Sequence, residues 1–88
     1  MQANMRTKLK ILILKALWKC DGVPMPEGSL WDAVRMLMRP ADPTLSDFEG
    51  ALREAEAEGY CLGVTDDFTK EKSWTLTEKG MHKARLLK

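Results

Sequence analysis

The spacing of apolar residues changes at Tyr60, and that change bounds the fold. As far as Ala55 they recur every three or four positions. Beyond it Tyr60, Leu62 and Val64 alternate with Cys61 and Gly63, and Trp74 and Leu76 alternate with Ser73 and Thr75. A repeat of 3.6 residues gathers side chains on one helix face, whereas a repeat of two gathers them on one strand face. The chain therefore reads as helices followed by a pair of short strands. A lone hairpin is marginal in water, so this one must pack on the helices.

Turn and cap residues divide the helical part. Thr7 is placed to cap a first helix running to about Cys20, with Leu9, Leu12, Ile13, Ala16, Leu17 and Cys20 on one face and Asp21-Gly22 as its end. A second stripe, Ile11, Leu14 and Trp18, lies on another side of that helix. Val23-Pro24-Met25-Pro26 is held extended by its prolines. Ser29 with Asp32 resembles a capping box, predicting a second helix that buries Leu30, Trp31, Val34, Leu37 and Met38 and stops at Arg39-Pro40. Thr44 with Asp47 caps a third helix, with Leu45, Phe48, Ala51, Leu52 and Ala55 inside and Gly59 at its end. A polar stretch from Thr65 to Lys72 joins the strands. Thr77-Glu78-Lys79-Gly80 opens a last short helix carrying Met81, Ala84 and Leu87. The expected architecture is mainly α with a small β-hairpin.

Eighty-eight residues suffice for one domain, spanning 1–88. The longest apolar run, Ile11 to Leu14, is too short to cross a bilayer, and the basic N-terminal stretch lacks a signal-peptide core, so a cytoplasmic protein is expected. Cys20 and Cys61 are too few for a disulfide framework and read as buried free thiols. His82 stands alone on an exposed helix, with no phosphate-binding glycine loop and no Cys/His metal spacing in the chain. No catalytic site, cofactor or metal is expected.

The formal net charge of +1 conceals a segregation. Residues 1–20 hold five bases and no acid, and residues 21–43 two bases and four acids. Residues 44–67 hold one base, Arg53, and seven acids, and residues 68–88 six bases and two acids. Both ends are basic and the middle is acidic.

Residues 44–80 resemble winged helix-turn-helix regulators of the broad MarR/PadR-like kind. The resemblance lies in the helix TLSDFEGALREAEAEGY and in the hairpin CLGVTDDFTKEKSWTLTEKG, which closes on Leu76-Thr77-Glu78-Lys79-Gly80. It implies a three-helix core, a two-stranded wing and a short C-terminal helix. It also implies a third helix entering the DNA major groove, with Thr44, Ser46, Asp47, Glu49, Gly50 and Arg53 near the bases. The wing residues Thr69, Lys70 and Lys72 would touch the backbone. Such regulators commonly dimerise through terminal helices; here the last helix is short, so helix one would supply Ile11, Leu14 and Trp18 to a homodimer. Within the residues themselves, packing of that stripe on the last helix is the equal alternative.

One feature departs from the pattern: the third helix carries five acids and one base, and phosphates repel carboxylates. Asp47 has a second role as a cap, and Glu54, Glu56 and Glu58 fall where they can point away. Lys70, Lys72, Arg6, Lys8 and Lys10 are then the bases that would carry affinity for duplex DNA, against the alternative of scattered solubilising charge. The expected function is a small DNA-binding, transcription-regulator-like protein without a separate effector domain. The competing expectation is a winged helix that serves protein–protein interaction or oligomerisation and binds no DNA.

Overall fold

The computed structural model describes residues 3–20 and 22–87. The elements run α1 (Ala3–Lys19), β1 (Met25–Pro26), α2 (Glu27–Met38), α3 (Leu45–Ala57), β2 (Cys61–Thr65), β3 (Lys72–Leu76) and α4 (Glu78–Leu86). The fold is mainly helical with a small three-stranded antiparallel sheet, in the order β1-β3-β2.

α1 begins a turn before Thr7, so that residue lies within the helix rather than capping it. Nothing between Ala3 and Arg6 breaks a helix, and propagation costs little once a turn exists. Leu9, Ile13, Leu14, Ala16 and Leu17 are all buried. Asp21, expected beside Gly22 at the helix end, lies outside the described residues.

α2 starts directly after Pro26, not at Ser29. Met25 pairs with Trp74 and Pro26 with Ser73, adding a third strand to the expected two. Proline is tolerated there because β1 is an edge strand. This pairing fixes where the helix can begin. Asp32, deprived of a capping role, accepts from Arg35 at 3.2 Å. The helix turns Leu30, Val34 and Met38 inward. Leu37, expected in the core, falls beside that row and is 54% exposed.

α3 packs Phe48, Ala51, Leu52 and Ala55 on α1, and the Trp31 ring lies on Phe48 with centroids 5.0 Å apart. Leu45, the first helical residue, stands half exposed outside that row instead of on the inner stripe. Gly59 takes a φ of +84° after the helix, a conformation that suits glycine.

In the sheet, Cys61 faces Leu76 and Gly63 faces Trp74. Cys61, Trp74 and Leu76 point into the core, leaving Leu62 and Val64 on the solvent side. Thr77 then locks the hairpin to the rest. Its N–H donates to Tyr60 O at 3.1 Å, its hydroxyl donates to Gly59 O at 2.6 Å, and Oγ1 accepts from Gly80 N at 3.0 Å. Gly80 permits this closure: a Cβ there would lie 1.8 Å from Tyr60 O.

Both cysteines are free thiols, Cys61 buried and Cys20 half-buried. Burial pushes the Cys61 thiol up to about 12, with the Glu56 charge acting the same way. No described helix is long and apolar enough to cross a membrane.

Gly80→Ala forces backbone apart and is expected to cost about 3 kcal/mol, read from urea unfolding. An unchanged midpoint would show that α4 can move aside freely. In thiol titration at pH 8, Cys61 is expected to react only after unfolding, because little thiolate forms and no reagent reaches it.

Candidate nucleic-acid interface

The N-terminus of α3 is fixed by a reciprocal pair of bonds. Thr44 Oγ1 accepts from Asp47 N at 3.1 Å, and Asp47 Oδ2 accepts from Thr44 N at 3.1 Å. Together they satisfy two otherwise unpaired backbone donors. Thr44 and Asp47, both expected at the edge of bound DNA, are thus engaged in building the helix.

The acids further along α3 turn toward α1. Glu54 pairs with Arg6 through Oε2 and with Lys10 at 3.4 Å, and Glu58 pairs with Lys10 at 3.0 Å. The Arg6 guanidinium holds the Glu54 carboxyl below its ordinary value of 4.5, against a smaller opposing effect of desolvation. The bond to Glu58 leads in raising the Lys10 ammonium above 10.5, with desolvation opposing it. Arg6 lies across Gly50, where a Cβ would sit 3.0 Å from its Cζ. Gly50 is therefore covered by a side chain instead of facing outward. Arg6 and Lys10, expected among the bases available to a nucleic acid, are already paired.

Besides Leu45, what remains exposed on α3 is Ser46, Glu49, Arg53 and Ala57. Ser46, Glu49 and Arg53 follow an i, i+3, i+7 spacing along one face. Arg53 and Glu49 share a crevice of about 190 Å³ with Leu52, Glu27, Lys72 and Trp74. Lys72 is held there by the sheet register. Its stem crosses Gly63, where a Cβ would lie 2.6 Å from Lys72 Cε, and its ammonium sits 4.8 Å from the Trp74 ring centroid. Trp74 Nε1 in turn donates to Glu27 Oε1 at 2.9 Å, tying β3 to the start of α2.

The hairpin tip is organised by Asp66. Its Oδ1 accepts from Phe68 N at 2.8 Å and Thr69 N at 3.0 Å, bonds that lower its carboxyl below the ordinary 3.8. Thr69 Oγ1 accepts from Glu71 N at 3.2 Å, so the hydroxyl helps to form the turn. Lys70 has a φ of +62°, uncommon for a residue with a side chain, and is exposed. Phe68 is 96% exposed at the apex.

Of the six expected DNA contacts, the fold brings Arg53 and Lys72 together. Ser46 stands exposed at the start of α3, Thr44 serves as its cap, and Thr69 and Lys70 sit at the separate tip. The expected stripe Ile11, Leu14 and Trp18 is dispersed. Leu14 is 3% exposed and belongs to the core, so it offers no surface to a second copy. Trp18 is half-buried, with the Arg85 guanidinium of α4 5.9 Å from its ring centroid. Ile11 lines a groove beside Leu12 and Leu37. α4 packs on α1 and takes one side of the stripe.

Glu27 and Trp74 carry no short-range signal, because they meet only through the pairing of β1 with β3. The Arg6–Glu54 contact did have one, in the opposite charges of the first and third helices. His82 is exposed, and the described residues contain no group of His, Cys, Asp or Glu fit to hold a metal ion. No family model matches the chain, and comparisons with curated proteins and with solved structures find no significant match.

Because Glu54 titrates below its unfolded value, its ion pairs stabilise fully above about pH 4.5 and are lost as pH falls through the folded value. Glu54→Gln is expected to lower Tm at pH 7 and to flatten the fall in Tm between pH 5 and pH 3. Parallel pH profiles for the two proteins would remove the pair from the acid response.

Proposed function

We propose that this chain is a winged helix-turn-helix domain that binds double-stranded DNA, as small transcription regulators do. α3 is the helix that meets the major groove, and the β2–β3 hairpin is the wing. The observation that carries this reading is the disposal of the α3 acids. Asp47 closes a capping box, while Glu54 and Glu58 are neutralised from α1. The outward side keeps Ser46, Glu49 and Arg53, with Glu56 half-buried beside them and in no ion pair among the described residues.

Arg53 and Lys72 line the same crevice and place two cations between helix and wing, where a phosphate strand passes when a helix enters the groove beside it. Ser46 adds a hydroxyl near the positive end of the α3 dipole. Lys70 and Thr69 extend the contact to the wing tip. Phe68 supplies an exposed apolar side chain of the kind that enters a minor groove. Glu49 opposes phosphate and suits a cytosine amino group, so it lowers affinity while contributing selectivity.

Binding to labelled duplex should weaken steeply with salt. Arg53→Ala and Lys72→Ala should each reduce the slope of log K against log salt by about 1. Glu49→Gln should tighten binding to random duplex. Absence of binding at low salt, or a slope untouched by both alanine variants, would exclude this reading.

A further inference from the structure

Four of the five bases of α1 divide into two rows, Lys19 standing apart at the helix end. Arg6 and Lys10 face α3 and are neutralised there. Lys8 and Lys15 face elsewhere and border a groove between α1 and the end of α2. Ile11, Leu12, Leu37, Met38, Pro40 and Ala41 form its apolar surface, and Arg39 adds a third cation. None of Lys8, Lys15 or Arg39 makes an ion pair among the described residues. No carboxylate lines this groove, of about 650 Å³. A neighbouring hollow past Ala41 holds Arg35 and Asp42.

We propose that this groove receives an acidic amphipathic helix from a partner protein. An apolar floor between unpaired cations is complementary to an apolar stripe bordered by carboxylates. Two helices already form the walls, and a third can lay its ridge of side chains between them. Both strand edges belong to the sheet, so an added strand has no backbone to pair with at this place.

The other occupants fit less well. A second copy related by a twofold axis would set Lys8, Lys15 and Arg39 against the same three cations. A phosphate backbone gains nothing from Leu12, Leu37 and Met38. A flat bilayer cannot reach Met38, which is 7% exposed on the floor. The groove and the DNA-binding face use different residues, so this proposal stands whether or not the chain binds DNA.

The probe is a fluorescein-labelled peptide of ~15 residues, about four helical turns, with leucines on one face and glutamates elsewhere. Controls are the same peptide with lysines for glutamates, a version broken by a central proline, and vesicles containing phosphatidylserine. Saturable binding of the acidic helix is expected in fluorescence anisotropy. Leu37→Asp, an exposed position whose change spares the core, should weaken it roughly tenfold or more. The triple variant Lys8→Glu, Lys15→Glu, Arg39→Glu should lose the acidic peptide and gain the lysine peptide, and that exchange requires a folded protein. Arg53→Ala should leave peptide binding unchanged. No saturable binding, equal binding of the proline-broken peptide, insensitivity to Leu37→Asp, or capture by vesicles lost in the same triple variant would overturn the proposal.

Discussion

Burial of α1 on more than one side is the constraint from which the rest of the molecule follows. It touches α2, α3, α4 and β3. Leu9, Ile13, Leu14 and Leu17 are each at most 3% exposed. A small domain has little apolar surface to enclose, and a central helix lets every other element share one core. α3 lies on one flank, reinforced by ion pairs, and α4 lies on another and covers part of Trp18. The flank left over is the groove beside Lys8 and Lys15.

Charge is distributed according to that arrangement. The acidic middle of the chain and its basic start do not occupy separate surfaces, because α1 and α3 are neighbours and cancel each other where they meet. The overall count hides this, and the charge of α3 taken alone misleads. Only after Glu54 and Glu58 are paired does the outward face show its composition. Trp74 governs the other half of the candidate site. Its register opposite Gly63, its indole bond to Glu27 and its ring beneath Lys72 bring three segments to one crevice.

Local signals were legible in the sequence where the physics is local. The Thr44–Asp47 box, Gly59 after α3, and the capping of α4 by Thr77 through Gly80 N all depend on residues a few positions apart. Ser29 and Thr7 show where such signals fail. Each has the chemistry of a cap, but the edge pairing of Pro26 starts α2 earlier, and helix-compatible residues carry α1 past Thr7 toward the N-terminus. Helical spacing alone assigned Leu37 and Leu45 to the core, since it cannot tell the centre of a stripe from its border. Leu14 shows the converse: a residue off the main stripe is buried because α1 has neighbours on several sides. Arg53 and Lys72 could be named as candidates from residue type and motif. Their meeting in one crevice with Glu27 and Glu49 depends on the three-dimensional pairing.

Gly50 decides which substitutions the α1–α3 contact can absorb. With no side chain there, the Arg6 guanidinium can lie flat over the helix backbone and reach Glu54. A larger residue at 50 would displace the arginine and leave Glu54 to Lys10 alone, while loss of the arginine would remove the need for glycine. The three positions are therefore coupled: what a substitution does at any one of them depends on the residues at the other two.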